Sequence, residues 1–299
     1  MWITILRVGL GLQVTIYALS LWRDWNYLFA TNPEGLINRD LSEAILTVES
    51  PLIPRLGWFV TLGGKAGLTE AAMLTFAWGC LFCSGLCLLA GFLSRPAAVV
   101  AWIVHLATRS SGGFITYGVD HFMTIGLFYL SIAPLPDSHS LDRRLTRAAA
   151  PDPHRIGFHQ RVLQIHLCLI YFFSGLAKCI GSGWWEGTSM WRALTRPPFN
   201  VVDPTVLLQW SHLLPAAGIV ICVLEVVYPI LIWPKLSRSL WLASVITMHI
   251  GIGLLMGLYL FSLIMIILNI AAFGPGIELP GWPARLIMRL RNTVPNHTV

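Results

Sequence analysis

Apolar runs of about twenty residues recur along this chain, and each is long enough to cross the hydrocarbon core of a bilayer. They fall at 2–22, 70–93, 95–110, 115–134, 160–182, 211–233, 239–256 and 257–274. The pattern predicts an all-α, polytopic membrane protein of about eight transmembrane helices. Charge content agrees: 11% of the 299 residues are charged and 56% are hydrophobic, whereas a soluble chain carries about a quarter charged residues. The opening run, MWITILRVGLGLQV, holds Arg7 and no small-residue cleavage pattern, so it reads as a retained first span. No repeat or second soluble domain is visible. Residues 1–299 read as one transmembrane domain, with its membrane core at about 2–274 and a tail at 275–299.

The distribution of basic residues sets the expected orientation. Arg95, then Arg143, Arg144, Arg147 and Arg155, then Lys235 and Arg238, then Arg285, Arg289 and Arg291 fall in alternate connections. Placing these on the cytoplasmic side puts both termini inside and the 23–69 and 183–210 loops outside. In the outer 23–69 loop Asp24, Glu34, Asp40, Glu43 and Glu49 offset Arg23, Arg39, Arg55 and Lys65, so the net charge of +6 reflects the connections and tail expected inside. No basic domain outside the membrane points to nucleic acid.

Ionisable groups inside spans are rare and are candidates for function. The fifth span carries Gln160, Gln164, Tyr171, Ser174 and Lys178 along one helical stripe, with Gly175 where a helix or ligand can approach. Lys178 has two readings. It can snorkel to the outer headgroups, or it can sit in a pocket above the polar stripe. Asp120 and His121, in VDHFMT, and His249, in VITMHIGIG, fall at similar depth. If their helices are neighbours, Lys178, His121, His249 and Asp120 line one outward-facing cavity. Glu225, in the sixth span, needs a partner or a proton. Arg7 is expected to pair with it in a structural role. His105 and Arg109 are read as headgroup anchors.

Trp184, Trp185 and Trp191, with Tyr17, Trp22, Trp25 and Tyr27, look like an outer aromatic belt. Such a rim also suits a flat, apolar ring compound arriving from lipid. The six cysteines all lie in apolar runs, so no disulfide framework is expected. Cys80, Cys83 and Cys87 share a helical face and read as helix-packing thiols. There is no HExxH, paired CxxC, GxSxG or GxGxxG. No metal is expected.

The stretch IYFFSGLAKCIGSGWWEGTSMWRAL resembles the signature of the HTTM (horizontally transferred transmembrane) domain, the membrane domain of vitamin K-dependent gamma-carboxylase and its short bacterial relatives. Tyr171, Phe172, Gly175, Lys178, Trp185, Gly187, Thr188 and Ser189 carry the match. VDHFMT, LEVVYPILIW and MHIGIGLLMG are similar to further stretches of that family, at His121, Glu225 and His249. The resemblance implies an enzyme of a bacterial inner or plasma membrane that uses a reduced quinone, O2 and CO2. The matching lysine would deprotonate the quinol, O2 would make it a strong base, and that base would prepare a glutamate carbon for carboxylation. Lys178, His121 and His249 would then be catalytic, and Asp120, Tyr171, Ser174 and Trp185 would surround the quinone or substrate. The substrate would be a secreted peptide or a small molecule. This chain lacks the carboxylase's large propeptide-binding region and has Ala177 where the family motif has a second lysine. A separate substrate-binding protein is therefore expected.

Two other function classes remain. One is a non-redox partner for maturation or export of a secreted peptide, of the sporulation-delaying toxin type, which tolerates loss of Lys178. The other is a transporter. Against it, the polar groups gather in the outer half and form no path across, and paired broken helices are not evident.

Overall fold

The computed structural model describes residues 1–31, 39–147 and 152–276. Arg285, Arg289 and Arg291 of the tail lie outside the described residues. Among the described residues no strand occurs. Eight helices there reach fifteen residues or more: α1 (Trp2–Leu21), α2 (Glu70–Ala90), α3 (Ser94–Ser111), α4 (Gly118–Ile132), α5 (Pro153–Ile180), α6 (Leu214–Leu231), α7 (Lys235–Met256) and α8 (Tyr259–Phe273). Each corresponds to one apolar run. Five of the apolar helical stretches are long and apolar enough to cross a membrane: those of α1, α2, α5, α6 and α7. At 15 residues each, α4 and α8 are shorter apolar helices.

Local chemistry sets the helix ends. The Thr69 hydroxyl accepts from the Ala72 amide and opens α2, and Gly91 closes it at φ 71°. Asp152 accepts from the His154 amide, with Pro153 at the first helical position. That cap starts α5 seven residues before the expected 160, giving 28 residues. At 1.5 Å per residue this is roughly 42 Å, longer than the hydrocarbon core. The 23–69 segment, expected as a loop, contains the helices Arg39–Glu49 and Leu56–Lys65. The 183–210 segment contains Thr188–Thr195 and Pro204–Gln209.

The helices form two groups joined by α8. On one side α1 packs most extensively on α2, α3 packs on α2 and α4, and α4 also meets α1. On the other, α5 pairs with α6. Helix α8 touches α1, α4, α5 and α7. Its carboxyl end is held by Gln160 and Gln164 of α5, whose side chains donate to the Ala272 carbonyl at 2.9 and 2.6 Å. Two of the five residues of the expected polar stripe on α5, Gln160 and Gln164, thus serve to seat α8.

One end of the bundle is built around Arg7. Its Nε donates to Asp137 Oδ2 at 3.0 Å, and its other nitrogens reach the Leu88, Leu89 and His139 carbonyls. Arg7 is 1% exposed and Asp137 4%. The expected Arg7–Glu225 pair is therefore corrected. Arg7 points to the connection after α4, and Glu225 points to α5 at Lys178. Depth along two spans told nothing of which faces meet. Nearby, both carboxylate oxygens of Asp142 accept from the Leu93 and Ser94 amides at 2.7 Å, capping α3. Partial burial pushes the Asp142 carboxyl up. The Ser94 and Leu93 donors and the Arg7 charge outweigh it and hold the carboxyl below its usual value. Trp2 of α1 also donates to the Ile156 carbonyl of α5 at this end. Arg161 of α5 lies over the Trp233 ring just past α6.

Two groups read as facing the membrane surface are interior. Trp25 is 2% exposed and donates to the Leu74 carbonyl, and Tyr17 is also buried. His105 is fully buried and stacked on Tyr17 at 5.3 Å between centroids, so it is no headgroup anchor.

Candidate functional site

A charged polar cluster lies where α5 crosses α6. Lys178 Nζ is 2.6 Å from Glu225 Oε2 and 2.6 Å from Ser174 Oγ. Ser174 is one turn before Lys178, so the helix itself places both on one face. The two backbones come close because of Gly175. A Cβ there would lie 2.7 Å from the Val226 nitrogen and 2.8 Å from the Glu225 Cβ. The glycine expected to admit a helix or ligand thus admits α6. The side chains of Lys178 and Glu225 are 21% and 8% exposed. Lys178 does not snorkel away from the protein; it is a bridging cation with a window to its surroundings.

The turn beyond α5 roofs this pair. Trp184 lies with its ring 5.5 Å from Lys178 Nζ, a cation–π contact. A Cβ on Gly218 of α6 would collide with the Trp184 carbonyl, so that crossing also requires glycine. Trp185 is 46% exposed, and its Nε1 donates to the Cys179 carbonyl at 2.8 Å. It satisfies one of the free carbonyls at the end of α5. Of the two tryptophans, Trp184 faces the cation.

Two turns deeper, about 10 Å along α5 at 1.5 Å per residue, is a second, fully enclosed cluster. Tyr171 Oη is 2.7 Å from His249 Nε2 and accepts from Asn269 Nδ2 at 2.8 Å. Tyr228 donates to Asn269 Oδ1 at 2.7 Å. The Tyr171 and Tyr228 rings stack at 4.2 Å between centroids. These four residues come from α5, α7, α8 and α6. All are 3% exposed or less. Burial of so many polar groups is tolerated because nearly every one is hydrogen-bonded.

Asp120 and His121 are elsewhere. Asp120 accepts from Tyr17 Oη at 2.8 Å and from the Tyr117 amide at 2.9 Å, tying α4 to α1 and capping α4. His105 Nε2 stands 4.0 Å from it. His121, the next residue, is exposed, and its Nδ1 lies 3.2 Å from the Tyr117 carbonyl at the start of α4. It shares no hydrogen bond or ring contact with Lys178 or His249 among the described residues. The expected four-residue cavity is thus replaced by two joints: Lys178 with Glu225 and Ser174, and His249 with Tyr171.

Sequence reading missed Tyr228 and Asn269. Signals were present: Tyr228 is three residues after Glu225, on its helical face, and Asn269 is the lone amide in the apolar run of α8.

An apolar groove of about 530 Å³ runs beside this site, between α6, α7 and the Thr188–Thr195 helix. Met190, Leu194, Ile221, Leu224, Met248 and Leu255 are among its lining residues. Neither Lys178 nor His249 lines it. Among the described residues no group of three potential metal ligands converges. Comparisons with protein-family models, with curated proteins and with solved structures give no significant match.

Proposed function

We propose that this protein is a multi-pass membrane enzyme of the carboxylase-like type, in which Lys178 and Glu225 together handle a proton for a quinone-class compound. The observation that carries the reading is the geometry of Lys178. Its amine is clamped at 2.6 Å by a carboxylate and by a hydroxyl, yet its side chain is still a fifth exposed. An ammonium has three N–H donors, so one is left for a ligand. Burying two full charges is costly, and moving the proton from amine to carboxylate removes both. The amine then has a lone pair and acts as a base. Ser174 keeps the nitrogen in place in either state.

The residues present fit a quinone. Trp184 offers a flat apolar face, Lys178 offers a polar end, and the groove of about 530 Å³ offers an apolar bed for a tail. When bound, the reduced quinone supplies with O2 the strong base that carboxylation with CO2 requires. The protein's own part is to bind it, hold water away and take its first proton.

In this reading all eight helices span the membrane and both termini are cytoplasmic. The Arg7–Asp137 end, with Arg95, Arg143, Arg144, Arg155, Lys235 and Arg238, faces inward. Lys178 then lies toward the outer surface of a bacterial plasma membrane. A secreted peptide reaches it with a separate binding protein. Mass spectrometry of peptides secreted by cells with and without the gene tests the reaction. An added carboxyl group lost in Lys178→Ala is expected. Peptides unchanged in mass but no longer exported or matured support the non-redox partner role instead.

A further inference from the structure

We infer that Asn269 and Tyr228 lock His249 as a hydrogen-bond donor, with its Nδ1–H held for the acceptor oxygen of an apolar carbonyl ligand. The argument is one of direction. Asn269 lies 2.8 Å from the Met265 carbonyl, which can only accept. The nitrogen of the amide must therefore face Met265, and the same nitrogen donates to Tyr171 Oη. The amide oxygen is left for Tyr228, whose hydroxyl must donate to it. Tyr171 Oη, already accepting from Asn269, has one proton of its own. His249 Nε2, at 2.7 Å, is the acceptor for it.

A neutral imidazole that accepts at Nε2 carries its proton at Nδ1. The opposite tautomer would strand both the Tyr171 hydroxyl proton and the Nδ1 lone pair. An unmade hydrogen bond in a buried site is costly, so the Nδ1–H form is favoured. In that form one group stays unsatisfied: His249 Nδ1 is buried and has no partner. The next turn of α7 repeats the signal. A Cβ on Gly253 would be 3.0 Å from Ser262 Oγ, and that hydroxyl is also buried without a partner. An unpartnered ring nitrogen on α7 and an unpartnered hydroxyl on the facing helix α8 are the observations from which an oxygen acceptor is inferred.

His249 is therefore a donor, and not a base, toward whatever binds at Nδ1. A chain of amide, phenol and imidazole that ends in an N–H suits a quinone oxygen, whose negative charge grows as the ring is reduced or deprotonated. The choice of a quinone rests on the proposed function; the donor assignment does not. Asn269 and Tyr228 are positioning residues, since they act through Tyr171.

The test uses full-length protein with 15N-labelled histidine in lipid nanodiscs, and His249→Asn assigns the resonances. Wild type is expected in the neutral Nδ1–H form near pH 7. Tyr171→Phe keeps the ring stacked on Tyr228 and removes the proton donor, so Nε2–H becomes populated. Asn269→Leu is expected to do the same. Menadione, a tail-less naphthoquinone, is expected to shift the His249 Nδ1 resonance. Wild-type His249 in the Nε2–H or doubly protonated form overturns the donor assignment. An Nδ1 resonance unmoved by saturating menadione overturns the carbonyl ligand. Lack of hydroquinone-dependent activity beside an Nδ1–H histidine sinks the enzyme reading alone.

Discussion

Gly175 and Glu225 touch across the α5–α6 crossing, with a Cβ on Gly175 placed 2.8 Å from the Glu225 Cβ. That contact is what brings Lys178 and Glu225 within 2.6 Å. The first group blocking a larger residue is backbone, the Val226 nitrogen, so the helix must move. Gly175→Ala is expected to push α5 and α6 apart, at a cost of about 1–3 kcal/mol. Tryptophan-fluorescence melting in detergent reads the loss. An unchanged melting temperature would show that the crossing is looser than described.

A second expectation concerns Arg7 and Asp137. Removing one member of a buried pair strands the other, which costs about 3–5 kcal/mol. Arg7→Met and Asp137→Leu are each expected to reduce folded yield sharply. The double substitution is expected to recover most of it, because no charge is left buried. Chemical denaturation of the three variants checks this. If Glu225 were the partner instead, Asp137→Leu would be mild.

Asp142 sets an acid limit at the same end of the bundle. Its folded pKa lies below the unfolded value, so the unfolded chain binds the proton more readily. Its contribution is therefore full above roughly pH 4, the ordinary carboxylate value, and fades as the pH falls through the lower folded value. Melting temperature followed from pH 6 to pH 3 is expected to drop. Asp142→Asn should lower it at pH 6 and flatten the acid dependence. A variant that melts like wild type at pH 6 would show that the cap on α3 is dispensable.

The all-helical fold was legible because long apolar runs leave few alternatives, and five of those stretches are long and apolar enough to cross a membrane. The Tyr171–Ser174–Lys178 stripe was legible too, since helical spacing fixes which residues share a face. What spacing cannot give is which faces of different helices meet. Glu225 and Arg7 looked like partners by depth, yet one faces α5 and the other the connection after α4. Asp120 and His121 looked like one motif. Consecutive helical residues point about 100° apart, so Asp120 turns inward to Tyr17 while His121 turns outward. Tyr228 and Asn269 carried signals, but their bonds to each other and to Tyr171 join helices far apart in sequence, which spacing along one helix does not show.

The amine–carboxylate pair is the centre of the functional account, and oxygen uptake tests it most directly. Purified protein in proteoliposomes is supplied with reduced vitamin K, and uptake is followed with an oxygen electrode. Wild type is expected to consume oxygen. Lys178→Arg keeps a cation beside Glu225 but cannot give up its proton, so it should fold and lose about 100- to 10,000-fold in rate. The Lys178→Met/Glu225→Leu pair, free of charge, should fold and be equally inactive. Full hydroquinone-dependent uptake in either variant would contradict the account and leave Lys178 and Glu225 as a clasp between two helices.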